Sequence, residues 1–302
     1  MHEQPSEEEL DRAAEIIRNG GLVAFPTETV YGLGANALDP RAVARIYEVK
    51  ERPFASPLIV HVADEAMARA LASDWPHVAQ ILAAQFWPGP LTLVVKKAEA
   101  VPDLVTAGLD SVGLRVPSHP IALALIRRAG VPIAAPSANR FTEISPTTAA
   151  HVRASLGDRV DLILNGGPTQ IGIESTVASV RRQPPMILRP GMISQRDIEA
   201  ATGVSWEREV DVPHIAESPG LNPRHYAPRT PFYVIEPGSA LPPGNGRVLE
   251  LPAAREAYAA QLYAEMHQAD AEGWDWIAVW RPADAPEWAG ILDRLRRASG
   301  GH

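Results

Sequence analysis

Apolar runs of strand length alternate with amphipathic stretches along the first two-thirds of the chain, and this alternation most constrains the fold. The runs lie at 22–25, 58–62, 91–95, 112–116, 131–135, 160–164, 175–180 and 186–189. Helical periodicity occupies 7–19, 40–49, 64–72, 77–86, 119–129, 147–155 and 194–201. Strands interleaved with helices predict a layered α/β (α+β) domain. Ser6 and Glu9 form a capping box that starts the first helix, and Gly20-Gly21 ends it. Asp39-Pro40 supplies a cap and a first-turn proline for the second.

The alternation stops near residue 210, which sets a first domain over 8–210. Pro213, Pro219, Pro223, Pro228 and Pro231 then recur at a spacing that forbids helix and favours extended backbone, so 211–231 reads as a linker. Beyond it the order is strand (232–236), strand (247–251), helix (254–270), strand (276–280) and helix (287–298). This predicts a small, Rossmann-like α/β domain over 232–302, too small to be robust alone and expected to dock on the first.

Bulk composition excludes several classes. The net charge of −8 argues against a broad nucleic-acid-binding surface, while leaving room for a local basic pocket. Cysteine is absent, so disulfide and thiolate chemistry are excluded. The first residues are acidic and polar, without the apolar stretch of a signal peptide, and no run approaches a membrane span. A soluble cytoplasmic protein is the expectation.

The densest polar region is 25–62. An apolar run stops at Pro26, and Thr27, Glu28 and Thr29 follow, then Tyr31-Gly32-Leu33-Gly34. The glycines resemble the start of a dinucleotide fingerprint, but Ala37 stands where the third is needed, so they read as a tight turn. No GxxxxGK[ST] loop occurs. Lys50 and Arg52 flank Glu51 before Pro53, with Ser56 just beyond. Cations suit a helix C-terminus on structural grounds alone. They also suit a phosphate clamp, with lysine as point charge and arginine as fork.

Further along, Arg115 sits among apolar neighbours in Ser111-Val112-Gly113-Leu114-Arg115-Val116-Pro117. Burying it requires an anion, either an internal acid or a substrate carboxylate. Ala135, Ser137 and Asn139 belong to a small-residue loop suited to close ligand approach, and Ser145 reads equally as a helix cap. Glu174 precedes Ser175 at the entry to a strand, where it could serve as a structural partner for an arginine, and Arg189 ends the next strand. HExxH, zinc spacings and GxSxG are missing, which disfavours serine and metal hydrolases. Hydroxyls, small residues and cations suit the binding of an anionic nucleotide and a small zwitterion.

Taken in order, PTETVYGLG, KERPxxxPLIVHV, GLRVPSHP, APSAN, SPTTA, GIESTV and LRPG resemble the YrdC-like domain of threonylcarbamoyl-adenylate synthases. SPGLNPRHYAP resembles the linker of that family's two-domain form. The resemblance implies a twisted, open, mixed sheet around a large positively charged cavity. It implies a nucleotidyltransferase joining L-threonine, bicarbonate and ATP into threonylcarbamoyl-adenylate with release of pyrophosphate. The product would serve threonylcarbamoylation of tRNA beside the anticodon, through a downstream transferase complex, with at most weak direct contact to tRNA.

Carried over by motif, the threonine pocket falls on Thr29, His61, Arg115, Ala135 and Ser175. The ATP site falls on Lys50, Arg52, Ser56, Ser111, Ser137, Asn139, Ser145, Arg189 and Tyr226, with Lys50 and Arg52 acting in catalysis. Mg²⁺ is expected with the ATP and no dedicated protein cage for it. The sequence departs from the pattern at Phe141-Thr142, where Ser-Gly is usual, at Asn222-Pro223 in the linker, and in a second domain that lacks a piece after Pro237. Two other readings are a non-catalytic RNA-binding or ribosome-maturation protein of the same fold and a carbamoyl-transfer module. The acidic balance opposes the first, and the absence of zinc-finger and acylphosphatase regions opposes the second.

Overall fold

Thr27 decides where the chain makes its first reversal. Its hydroxyl donates to the Val30 carbonyl at 2.6 Å and accepts from the amides of Thr29 and Val30, both at 3.2 Å. A threonine that bonds its own backbone three residues on closes a tight turn. Strand β1 (Val23–Pro26) therefore pairs antiparallel with β2 (Tyr31–Asn36), in the register Val23↔Gly34 to Pro26↔Tyr31.

The turn thus lies at 27–30, one step earlier than the glycines suggested, and Gly32 and Gly34 are strand residues. Close approach is the reason. A β-carbon on Gly34 would sit 2.7 Å from the Phe25 ring and 2.8 Å from Ile133, and one on Gly32 would sit 3.3 Å from Ala135. Such positions in a strand admit only glycine without displacing a neighbour.

The computed structural model describes residues 4–208 and 225–300. The remaining strands of the first domain are β3 (Ile59–His61), β4 (Leu91–Lys96), β5 (Ser111–Arg115), β6 (Ile133–Ala134), β7 (Leu162–Ile163), β8 (Thr176–Ser179), β9 (Met186–Arg189) and β10 (Glu207–Arg208). They form one mixed sheet in the order β10-β9-β8-β4-β5-β3-β6-β2-β1-β7. This is the mixed α/β architecture expected, with β2, β10 and the short helix Asp103–Thr106 in addition.

Helices cover the sheet. One cluster packs Ile46, Tyr47, Val60, Leu93 and Leu114, and a second packs Leu10, Ile17, Phe25, Ile121 and Leu125. The capping box of Ser6 and Glu9 starts helix Glu7–Arg18 as read.

The second part holds a parallel three-stranded sheet, order β11-β13-β12, from β11 (Phe232–Ile235), β12 (Gly246–Val248) and β13 (Trp276–Trp280). Helices Arg255–Glu272 and Ala289–Ala298 pack through Tyr258, Leu262, Tyr263, Met266, Ile291 and Leu295 against Ile277 and Val279. That cluster also takes in Val30, Ile144 and Ile173 of the first domain, so the two parts share apolar packing. Most of the proposed linker, including Pro213, Pro219 and Pro223, lies outside the described residues. Among the described residues no helix is long and apolar enough to cross a membrane.

Candidate active site

Strand pairing brings the distant motifs together. β3 runs parallel to β5 with His61 opposite Arg115, and antiparallel to β6 with His61 opposite Ile133. β4 runs parallel to β8, and the Thr92 and Ser175 hydroxyls meet at 2.8 Å. Two residues before β3, the Pro57 carbonyl accepts from Arg52 at 3.1 Å. Arg52 and Ser56 therefore lie toward the start of β3, and His61 and Arg115 at its end.

One cavity collects these groups. It is lined by Thr27, Thr29, Val30, Gly32, Arg52, Ile59, His61, Arg115, Ala135, Pro136, Ser137, Glu174, Ser175, Arg189, His225 and Tyr226. Its volume is about 50 Å³, room for a few waters and well below the several hundred Å³ usual for a ligand pocket. His225 and Tyr226, immediately after the undescribed segment, form part of the wall.

Arg115 is buried and has an internal acid, which answers the first of the two alternatives left by the sequence. Its Nη2 pairs with Glu28 Oε1 at 2.7 Å and donates to Thr29 Oγ1 at 3.0 Å, and its Nε donates to the Gly89 carbonyl at 3.3 Å. Glu28 also accepts from the Ser118 amide at 3.1 Å. Burial, then the neighbouring Arg115 charge, hold His61 at a pKa of about 3, so its imidazole is neutral at physiological pH. Its Nδ1 has no partner among the described residues.

Further cations belong to the same wall. Arg52 donates to Ser56 Oγ and to the Pro57 carbonyl, while its buried Nε has no partner among the described residues. Burial lowers its pKa to about 10, and Arg189 works in the same direction. It remains charged at neutral pH. Arg189 donates from Nε to the Ser175 carbonyl and from Nη2 to Ser175 Oγ, both at 3.1 Å. Burial, then the charges of Arg52, Lys50, Arg189 and Arg297, push the His225 pKa far below its ordinary value. Arginines this close and this buried repel one another, and an incoming polyanion relieves that cost.

Of the residues singled out from the sequence, Thr29, His61, Arg115, Ala135, Ser175, Arg52, Ser137, Arg189 and Tyr226 share the cavity wall. Five do not. Lys50 is buried and braces the next loop, donating to the Ser137 carbonyl at 2.6 Å and to the Asn139 carbonyl. Asn139 Nδ2 donates to the carbonyls of Arg140 and Glu143, both at 2.9 Å. Ser145 Oγ donates to Glu174 Oε1 at 2.5 Å. Ser56 receives Arg52, and Ser111 begins β5, about 13 Å along the strand from Arg115.

His225, on the cavity wall, escaped the sequence reading, and the Phe141-Thr142 loop packs beside it. The Phe141 ring lies 5.6 Å from the Arg52 guanidinium carbon and 5.6 Å from the His225 ring. Thr142, standing where the pattern has glycine, takes φ +71°, a left-handed conformation that costs a β-branched residue energy. Its carbonyl accepts from the Ala227 amide at 3.0 Å. Tyr226 also has positive φ (+60°), with its ring 4.1 Å from His225 and 5.2 Å from the Arg294 guanidinium carbon. Backbone strain of this kind collects where the surroundings hold a loop in a working geometry.

A metal held by protein side chains does not fit this lining. The described residues contain no cluster of three or more His, Asp or Glu that could hold an ion. The one carboxylate on the cavity wall, Glu174, is already bonded to Ser145, Tyr263 and Arg294.

Comparison with known proteins identifies the family and the fold. A family model described as "Telomere recombination" (Sua5/YciO/YrdC) matches residues 15–191, more than half of the chain. A model of the threonylcarbamoyl-AMP synthase C-terminal domain matches 193–300. The Threonylcarbamoyl-AMP synthase of Pyrococcus abyssi is 48% identical over 242 residues, covering 78% of this chain and 70% of that one. Its Bacillus subtilis counterpart is 48% identical over 236 residues, covering 76% and 67%. The crystal structure of Pyrococcus abyssi Sua5 complexed with L-threonine superimposes with a TM-score of 0.92 at 39% identity, covering 99% of this chain and 96% of that one.

Proposed function

The chain belongs to the Sua5/YciO/YrdC family, in the form that carries the threonylcarbamoyl-AMP synthase C-terminal domain, and on that premise we propose the following chemistry. The protein joins L-threonine, bicarbonate and ATP into threonylcarbamoyl-adenylate and releases pyrophosphate. The observation that carries the reading is one cavity whose wall holds Arg115 and His61 together with Arg52 and Arg189. Such a wall suits an amino-acid carboxylate and a polyphosphate held side by side.

The threonine amine, once deprotonated, attacks bicarbonate and gives the carbamate with loss of water. A carbamate oxygen then attacks the α-phosphorus of ATP in line with departing pyrophosphate, which makes the enzyme a nucleotidyltransferase. This route needs little covalent help from the protein. Positioning and fixed positive charge supply the acceleration.

Arg115 binds the threonine carboxylate. Thr29, His61, Ala135 and Ser175 complete that pocket, and the neutral His61 ring accepts a hydrogen bond without adding charge. Arg52, Arg189 and Ser137 face the nucleotide. Mg²⁺ enters as part of the substrate, on the ATP phosphates. Lys50 serves the nucleotide indirectly, by holding the Ser137–Asn139 backbone. His225 and Tyr226 form part of the cavity wall, and that wall opens to admit the substrates. Its return shields the unstable carbamate from water.

The product passes to a tRNA threonylcarbamoyl-transferase in the cytoplasm, the compartment consistent with a chain lacking cysteine. Pyrophosphate release is expected only when ATP, L-threonine and bicarbonate are present together. Release from ATP alone, or retention of RNA with no such release, contradicts the reading.

A further inference from the structure

We propose that Arg294, supplied by the second domain, is a positioning residue of the active site, and that it makes docking of that domain a condition of full turnover. The proposal rests on the reading above. Arg294 lies on helix Ala289–Ala298 and is 0% exposed. A guanidinium so buried must find anions and carbonyls. It finds them on two of the segments that form the cavity wall.

Its Nε donates to Glu174 Oε2 at 2.6 Å, its Nη2 to the Glu174 carbonyl at 3.3 Å, and its Nη1 to the Pro190 carbonyl at 3.1 Å. Asp293, on the same helix, pairs with Nη1 at 2.7 Å. Glu174 directly precedes Ser175, and Pro190 directly follows Arg189. Ser175 and Arg189 are themselves joined by two hydrogen bonds. One side chain of the second domain thus ties together both segments that carry these cavity residues, and it also underlies the Tyr226 ring.

The acceptor is saturated. Glu174 takes Ser145 on one oxygen, and Arg294 and Tyr263 on the other. Burial pushes its pKa up, but Arg294, Arg189 and the Ser145 bond outweigh burial and hold the carboxyl ionised. Moving Arg294 away would leave a buried carboxylate against the cavity, with Arg189 as the nearest replacement partner. That swap would draw Arg189 off Ser175.

Two backbone contacts fix how the domains meet. A β-carbon on Gly290 would lie 2.6 Å from the Gly191 carbonyl oxygen, and one on Gly172 would lie 2.3 Å from the Ala259 carbonyl oxygen. The helices of the second domain therefore rest on the backbone of the same two segments. No side chain lies between them to absorb a displacement. Arg294 does not line the cavity, so its effect on the chemistry passes through Glu174, Ser175 and Arg189.

The test compares full-length wild-type protein with Arg294→Met, Arg294→Lys and Gly290→Ala, following pyrophosphate release at varied threonine and ATP, with melting temperatures recorded alongside. Arg294→Met is expected to lower kcat about ten- to a hundredfold, the scale of a displacement of about 1 Å remote from the reacting atoms. Arg294→Lys should recover part of the loss. Gly290→Ala removes no charge but separates the same surfaces, so it should lower kcat in the same direction. If Arg294→Met does not fold, the Lys and Gly290 variants give the readout.

A lower melting temperature with wild-type kcat, measured well below that temperature, would reduce Arg294 to a structural role and overturn the proposal. Absence of substrate-dependent pyrophosphate release in the wild-type protein would instead defeat the functional reading itself.

Discussion

Arg115→Ala is expected to raise the threonine concentration needed for half-maximal turnover about ten- to a hundredfold, the loss of one charge-assisted pair worth roughly 1.5–3 kcal/mol. Arg115 ends β5 beside His61, and its Nε and Nη2 are held by Gly89, Thr29 and Glu28. Among the described residues its Nη1 makes no hydrogen bond within the protein, and the guanidinium forms part of the cavity wall. The internal acid therefore fixes the guanidinium in place while leaving a donor for a substrate carboxylate.

Alanine also strands Glu28, a buried carboxylate, and breaking a buried pair in this way costs about 3–5 kcal/mol of stability. Arg115→Lys is the gentler companion. It keeps the charge beside Glu28 but loses the fork. Both variants should show an altered threonine requirement, with the ATP requirement far less affected. A folded Arg115→Ala protein with unchanged threonine dependence would remove Arg115 from the pocket.

Arg52→Ala should cut kcat by about a hundredfold or more, the scale on which loss of one fixed stabiliser of transition-state charge is felt. Arg52 is buried, close enough to Arg189 for the two charges to oppose each other, and its Nε is unpartnered among the described residues. A charge held under those conditions is costly in the absence of a polyanion. Its removal is therefore expected to leave the melting temperature unchanged or higher, even as activity falls. That opposition is the mark of a residue kept for function at the expense of stability. Steady-state kinetics in ATP, with a thermal melt of the same sample, check both halves. Retained turnover, or a collapse in stability matching the lost activity, would show Arg52 to be a structural cation.

The sequence made the layered sheet legible because its strands are short apolar runs bounded by Pro and Gly, and its helices announce themselves through Ser6, Asp39 and their periodicity. It misled at Gly32 and Gly34. Glycine signals a turn equally well whether it supplies positive φ or simply makes room, and only the fold shows Phe25 and Ile133 pressed against β2. The motif order located most of the cavity wall, since most of the motifs adjoin a strand of one sheet, SPTTA instead leading into helix Ala149–Leu156.

Partners far apart in sequence stayed hidden. Glu28 and Arg115 meet across an intervening motif, and Glu174 meets Arg294 of the second domain. Nothing local marks Arg294 off from Arg296 and Arg297 on the same helix. Lys50, Asn139 and Ser145 do not line the cavity. Their side chains are bonded to backbone and carboxylate groups, and no motif distinguishes a loop brace from a ligand contact. Phe141 and Thr142 read in the sequence only as a departure from the usual Ser-Gly. The structure shows the ring set against Arg52 and His225, with the strain carried by the next residue.

The central claim is that one cavity builds a mixed carbamate–phosphate anhydride from three small molecules. The most direct test supplies ¹³C-bicarbonate with ATP and L-threonine and follows the product by mass spectrometry while counting pyrophosphate. The account predicts a labelled threonylcarbamoyl-adenylate formed in step with pyrophosphate, and lost when any one substrate is withheld. Pyrophosphate released without a labelled adenylate, or an adenylate of threonine that carries no carbon from bicarbonate, would contradict it.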